Sequence, residues 1–461
     1  VSVLDPQHEA GTSAALAARF ERLPFTGYRK RLAAILATCF MIDGVDLNML
    51  SFLLAPISAD LGLSKGAAAW AASASFIGMG VGATCAGLIA DRFGRRLVLV
   101  NSMLLWGTAS LLTAFAWDLQ SFLVFRIVTG IGLGAELPVA FALLAEFMPA
   151  GRRARLTGWV QVAGAAGLVA FNALSLLVVA VGGTVFGWRA MFVVMFFTAL
   201  FALIARRRVP ESPRWYAAHG RPGEADAVLS EIERRTEQEY GKPLPEPVSV
   251  APAPDREPSR NVLRELFAPG YAGRTLLAWA MWLVIMLAFY GITTWVGKLL
   301  VDRGMSVSKS ILVGLLISAA GLPAAWLTGW LMDRVGRKAV LSGALVLVAA
   351  GAFAYGHAAT FTLVVVAGAV MQFALTGVAT SLYAYTPELF PTRTRGTGMG
   401  TASTAGRISA ITGPLLVPVV LVAWGYTGTF LAFACCFAVG ALLVLAFGPE
   451  SRGRVLEEVS A

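Results

Sequence analysis

Charge is scarce in this sequence: 14% of its 461 residues are Asp, Glu, Lys or Arg, while 57% are hydrophobic. Soluble domains carry roughly a quarter charged residues, so a water-soluble fold of this length could not clothe its surface. Histidine, at 3 residues, and cysteine, at 4, are equally sparse. Cys39, Cys85, Cys435 and Cys436 show neither CxxC nor Cys/His ligand spacing, which argues against a structural zinc site and leaves them as buried, inert thiols. No Gly-x4-Gly-Lys-Ser/Thr loop and no dinucleotide fingerprint occurs, so nucleotide hydrolysis is not available as an energy source. No paired nucleophile and base stands out either, since His219 falls in a polar linker and His357 in a loop, and an enzyme is the least supported class.

What is present is a recurring apolar stretch of membrane-crossing length. Twelve such spans are expected, at 32–56, 67–90, 97–116, 119–146, 155–180, 186–206, 273–299, 310–332, 338–357, 360–386, 397–423 and 425–448. Abundant Gly, 48 residues, suits close helix packing in a bilayer. The fold class is an all-α membrane protein with two six-helix halves. Its divisions are an amino-terminal bundle at 1–206, a linker with short helices at 207–272 and a carboxy-terminal bundle at 273–461. No leader peptide is evident in the first thirty residues, so the first span is expected to act as its own insertion signal.

The net charge of +10 raises the question of nucleic acid, and the placement of the basic residues answers it. Arg92, Arg95, Arg96, Arg152, Arg153, Arg155, Arg334, Arg337, Lys338, Arg393 and Arg395 lie in hairpins at one set of helix ends, against Lys65, Arg189, Arg303 and Lys309 at the other. The positive-inside rule then puts both termini and the linker in the cytoplasm, and no nucleic-acid groove is needed.

Self-comparison shows the halves to be repeats. Gly87-Leu-Ile-Ala-Asp91-Arg92-Phe-Gly94-Arg95-Arg96 recurs as Gly329-Trp-Leu-Met-Asp333-Arg334-Val-Gly336-Arg337-Lys338, and Glu146-Phe-Met-Pro149 with Arg153 recurs as Glu388-Leu-Phe-Pro391 with Arg395. Both motifs share an offset of 242 residues, as a duplicated six-helix unit requires. A third echo, Pro210-Glu211-Ser212 against Pro449-Glu450-Ser451, has an offset of 239.

These repeated strings resemble the signature of the major facilitator superfamily, and Arg126-Ile-Val-Thr-Gly130-Ile-Gly132-Leu-Gly134 resembles its fourth-helix motif. Pro210-Glu-Ser-Pro-Arg-Trp215 and Pro387-Glu-Leu-Phe-Pro-Thr-Arg393 are similar to the sugar-porter-like branch, which includes organic-ion and aromatic-acid carriers; the resemblance covers residues 31 to 452. It implies secondary transport by alternating access, with no cofactor beyond a proton gradient, in a bacterial inner membrane. The expected partners are a small organic acid, protons and the lipid bilayer, with no nucleic acid, and the expected state is a monomer.

Ionisable groups deep in hydrocarbon are costly unless paired or hydrated, so each invites a functional reading. Asp43 and Asp46 are three apart and share a face of the first span. Asp46 lies roughly 20 Å from one edge and Arg126 roughly 10 Å from the other, equal depths in a ~30 Å core, so the two can pair. Protonation of Asp46 would break that pair. By resemblance they match the first-helix Asp and fourth-helix Arg that couple protons in bacterial sugar symporters, and Asp43-Gly-Val-Asp46 matches the D-G-x-D motif of aromatic acid:proton symporters. A fixed pair that only orders its half is the competing reading. Glu136 is a further proton or gate candidate. Asp91, Arg92, Arg95, Glu146 and Arg153, with Asp333, Arg334, Arg337, Glu388 and Arg395, are expected to form a charge latch at the basic end.

Arg407, about mid-membrane in the eleventh span, has no acid within a helical turn, which suits an anion arriving from a cavity. Capping of carbonyls or snorkelling is the alternative. Candidate cavity residues are Gln161 and Asn172 of the fifth span, Gln372, Thr376 and Tyr383 of the tenth, and Tyr290, Thr294 and Trp295 of the seventh, where Phe289 and Thr293 also crowd. Aromatic walls, one arginine and a protonatable acid favour a planar monocarboxylate. Met49-Leu-Ser-Phe, Gly134-Ala-Glu-Leu-Pro-Val, Phe289-Tyr-Gly-Ile and Ala405-Gly-Arg-Ile are similar to bacterial nicotinate carriers, while Gly44 and Asn48 depart from that group. Benzoate-type acids fit the same chemistry. An organic-cation or drug:proton antiporter and a sugar:proton symporter remain open.

Overall fold

The computed structural model describes residues 16, 18–20, 22–147, 150–246, 262–269, 271–390 and 394–450; the side chains of Asp43, Glu146, Arg153, Gln161 and Asp333 fall outside what is described. Among the described residues there are ten helices long and apolar enough to cross a membrane. Two of them are double. Ala150–Ala199 breaks at Gly183 (φ 72°) and Arg395–Phe447 at Gly425 (φ 69°), a region of backbone that favours glycine, so each divides into two spans and the bundle has twelve. In order the others are Gly27–Asp60, Lys65–Phe93, Arg95–Ala114, Leu119–Phe147, Ala272–Asp302, Val307–Ala319 continued by Gly321–Val335, Arg337–His357 and Phe361–Tyr385, with Phe201–Arg208 extending the sixth span. Large apolar side chains such as Leu88, Val181, Val422 and Leu442 stand exposed on the outer faces, a surface for lipid.

The duplication reaches the backbone. Outside the linker, the positive-φ glycines among the described residues fall in pairs, Gly62 with Gly304, Gly94 with Gly336 and Gly183 with Gly425, each pair 242 residues apart. Ser64 and Ser306, with the same offset, each cap a helix by accepting a hydrogen bond from the N–H three residues on. Glycine also sets the closest helix contact. A Cβ added at Gly130 would lie 2.0 Å from the Ser75 carbonyl oxygen, and one at Gly78 2.0 Å from that of Ile127. The second and fourth spans therefore touch backbone to backbone, an approach that only small residues permit.

The halves meet at the end opposite the basic hairpins. Ser73 Oγ donates to the Ile411 carbonyl (3.0 Å) and Asn172 Nδ2 to Ser318 Oγ (3.3 Å). Gly297 sits against Phe52 and the Ser51 carbonyl, and Gly314 against the Phe52 ring. Toward the basic end, Tyr383 contacts Trp282 of the seventh span at 5.0 Å between ring centroids yet remains 50% exposed. A side chain surrounded by helices and still accessible lines an opening between them.

The linker folds onto the amino-terminal half. Its helix Pro222–Tyr240 packs Ala225, Leu229 and Ile232 against Leu16, Phe20 and Leu23. Arg19 and Arg22 bind Glu233 at 2.7 and 2.6 Å, and Arg19 also reaches Asp226. Burial pushes the Glu233 carboxyl upward, but the hydrogen bonds from Arg19 and Arg22 outweigh it and hold the group below its ordinary range. One expectation needs correction here: of the four cysteines only Cys39 is buried with no exposure, whereas Cys85 and Cys435 are exposed on the outside of their helices, because a membrane bundle can leave apolar side chains outward.

Candidate functional site

Asp46 and Arg126 form an ion pair with no exposed surface on either side chain, at 2.9 Å between Nη2 and Oδ2 and 3.1 Å between Nη1 and Oδ1. The equal depths counted from the sequence thus correspond to contact. Ser110 of the third span donates to Asp46 (3.3 Å), and the Phe192 ring lies 5.4 Å from the Arg126 guanidinium. One turn away on the same face, Trp106 Nε1 donates to Glu136 Oε2 at 2.8 Å, and Glu136 is fully buried. The third span therefore supplies a donor to both Asp46 and Glu136. Gly130 and Gly134 bring the fourth span onto the second, and Gly132 brings it onto Trp106, which fixes Arg126 and Glu136 in register.

Arg407 is partly buried, and among the described residues no carboxylate lies within 4.0 Å of it. Its Nη1 donates to the Met79 carbonyl across the halves at 3.2 Å. The carbonyl reading and the anion reading coexist, because one such bond leaves most of the guanidinium's five N–H groups unused. Tyr290 and Tyr383 both lie within electrostatic range of Arg407, so these three sequence candidates share one region. Tyr290 also meets Phe76 at 4.9 Å and Phe289 at 5.3 Å, an aromatic wall beside the arginine.

One helical turn along the seventh span, Thr293 lines a narrow cavity of about 40 Å³ between the halves. Asn48, Asn172, Ser318 and Gln372 supply its polar lining, with Phe52 on one side. That volume holds a few waters and no aromatic ring. Thr376 lies beside it, where a Cβ at Gly321 would come 3.2 Å from its Oγ1 and 3.8 Å from Gln372 Nε2. Thr294 is buried off this lining. Trp295 is placed elsewhere: fully buried, its Nε1 donates to the Pro414 carbonyl (3.1 Å), an acceptor that Pro418, four residues on and lacking an N–H, cannot satisfy. The sequence singled out neither Asn48 nor Ser318 as a lining residue. Alternation of polar residues along one helix does not tell which of them face the other half.

Of the expected latch, Arg337 pairs with Glu388 at 3.3 Å. Asp91 and Arg92 are exposed, the Asp91 carbonyl accepts from Trp215 Nε1 (2.8 Å), and Arg334 lies 4.2 Å over the Trp330 ring. Arg95 and Arg395 are partly buried at the same end. The structure adds Glu211, whose carboxylate accepts from the backbone N–H groups of Arg95 (2.9 Å) and Arg96 (3.1 Å) and so caps the third span just after Gly94. Glu450 lies against Gly336 in the corresponding place. The Pro-Glu-Ser echo was the sequence signal for both, although its partner was not legible.

A model of the family described as sugar (and other) transporters matches residues 21–461. The chain belongs to that family. It is 32% identical over 445 residues to the niacin transporter NiaP of Acinetobacter baylyi, covering 96% of this chain and 99% of that one. It is 28% identical over 443 residues to the 4-hydroxybenzoate transporter PcaK of Pseudomonas aeruginosa, covering 93% and 94%. Its fold matches a partially occluded inward-open form of the xylose transporter XylE of Escherichia coli, with a TM-score of 0.74, 19% identity and coverage of 93% and 100%. The motif resemblance to the major facilitator superfamily therefore holds across the chain, which is a membrane transporter of a small molecule and not an enzyme.

Proposed function

We propose that this transporter is a proton-coupled symporter of an aromatic monocarboxylate, such as nicotinate or a benzoate-type acid, working by alternating access. The observation that carries the reading is Arg407, a partly buried cation within electrostatic range of Tyr290 and Tyr383 and with no carboxylate within ion-pair distance among the described residues. A carboxylate on a flat ring complements that set. The names of relatives that carry niacin and 4-hydroxybenzoate point the same way. Asp46 would carry the proton, with Arg126 as the counter-charge released when it is protonated and Glu136 the next candidate. The termini and linker lie in the cytoplasm of a bacterial inner membrane, a reading that the excess of basic residues in the hairpins supports, and the protein works as a monomer.

The test is chemical. A bidentate guanidinium–carboxylate contact depends on planar geometry as well as charge, so Arg407→Lys weakens acid binding even with charge retained. Loss of a charge-assisted contact of about 1.5–3 kcal/mol corresponds to roughly a 10- to 150-fold loss of affinity. The amide analogue of the same acid binds the native protein poorly and loses little more in Arg407→Ala. Equal responses of acid and amide in a binding titration would make Arg407 a structural residue and remove the anion reading.

A further inference from the structure

At the basic end of the amino-terminal half, outside the transport path, a pocket of about 400 Å³ lies between the start of the third span, the end of the sixth and the first linker helix, Pro213–Ala218. Arg96, Arg206 and Arg221 line it. Arg96 donates to the Arg206 carbonyl, but among the described residues neither arginine has a carboxylate within ion-pair distance. Arg221 is held over the rings of Trp215 and Tyr216, 5.8 and 4.8 Å from their centroids, and makes a two-bond pair with Glu224 (2.5 and 2.6 Å) between side chains about half exposed to solvent. The one acid in the lining, Glu211, is already engaged by the N–H groups of Arg95, Arg96 and Ser212. The pocket is thus a basic cup in which Arg96 and Arg206 have no carboxylate partner among the described residues and Arg221 shares its charge with Glu224 at the surface.

Its rim decides what fills it. Phe93 and Leu97 on one side are 53% and 46% exposed, and Leu203 and Ile204, one turn before Arg206, are 46% and 49% exposed. Apolar side chains facing lipid run directly into arginines, with Trp215 at the junction, which is the profile of a membrane boundary. A free anion would use the arginines and leave the apolar rim idle. We propose that this pocket binds the phosphodiester headgroup of an anionic phospholipid, with the acyl chains along Leu97, Leu203 and Ile204. The site ties the hairpin after the second span, the end of the sixth span and the linker together in one half.

The test is native mass spectrometry of the full chain in detergent, titrated with phosphatidylglycerol, phosphatidylethanolamine and inorganic phosphate. Wild type is expected to retain one phosphatidylglycerol in preference to phosphatidylethanolamine. Each arginine at an anionic lipid surface contributes roughly a fivefold gain, so Arg96→Gln/Arg206→Gln/Arg221→Gln lowers retention about a hundredfold. Arg234→Gln, which removes one charge on the neighbouring linker helix and so matches the single variant Arg206→Gln, leaves it unchanged. If the triple variant does not purify as a folded species, the exposed Arg206→Gln alone should still lose about fivefold. Equal retention of the two lipids, retention unchanged in the arginine variants, or binding of inorganic phosphate with no preference for the anionic lipid would each overturn the proposal.

Discussion

A single buried charge pair decides how Asp46 must behave on substitution. Both side chains are fully buried, so Asp46→Asn leaves Arg126 uncompensated in the bundle, a loss of about 3–5 kcal/mol by comparison with broken buried pairs. The variant should therefore unfold at a lower temperature, and Asp46→Asn/Arg126→Gln should recover much of the difference, a non-additivity that a double-mutant thermal series measures. Stability and coupling separate here. If Asp46 carries the proton as proposed, both variants should keep substrate exchange and lose proton-driven accumulation, since neither retains an acid to titrate at position 46; full accumulation in either would move the coupling site to Glu136. This pair was legible in the sequence because depth follows from counting residues along two helices. The partner of Arg407 was not, because the Met79 carbonyl reaches it only through the way the two halves close.

At the scale of helices, the glycines of the fourth span hold the charged residues in place. At Gly130 and Gly78 the obstructing atoms are backbone oxygens, which cannot rotate away, so Gly130→Val or Gly78→Val should abolish the folded, monodisperse protein on size exclusion. Gly343→Ala, with nothing within 4 Å of the added carbon, should leave the unfolding temperature unchanged or slightly raised. The sequence showed the spacing of Gly130, Gly132 and Gly134 but not that alternate ones serve different neighbours. It did place the junctions of the fifth with the sixth span and of the eleventh with the twelfth, since the spans expected to end at 180 and 423 and to resume at 186 and 425 meet where the helices break at Gly183 and Gly425. The linker helix carries a pH prediction. Glu233 is depressed in the folded state, so its contribution is complete above the ordinary carboxylate value near ~4.3 and disappears as pH falls through its lower folded value. Amide-exchange protection of residues 222–240 should fall in that acid range, and Glu233→Gln should lower it at neutral pH.

For the whole molecule, the contacts named between the halves lie away from the basic end, while Tyr383 and Arg407 remain reachable from it. The polar cavity of Asn48, Asn172 and Gln372 lies one helical turn beyond Tyr290, too small in this state for a ring. On the proposed alternating-access reading, transport requires the opposite end to open and that cavity to enlarge, a rearrangement of two repeats about a fixed centre. The architecture was legible from duplicated motifs and a shared offset, whereas the cavity lining depended on which helix faces meet. The most direct measurement is uptake of labelled aromatic acids, aliphatic acids, sugars and organic cations into proteoliposomes, acidic outside and alkaline inside, with protein-free liposomes correcting for leakage of neutral acid. The account predicts uphill accumulation of aromatic monocarboxylates that collapses when a protonophore is added and is lost in Asp46→Asn. Accumulation of cations or sugars with every carboxylate ignored would contradict it.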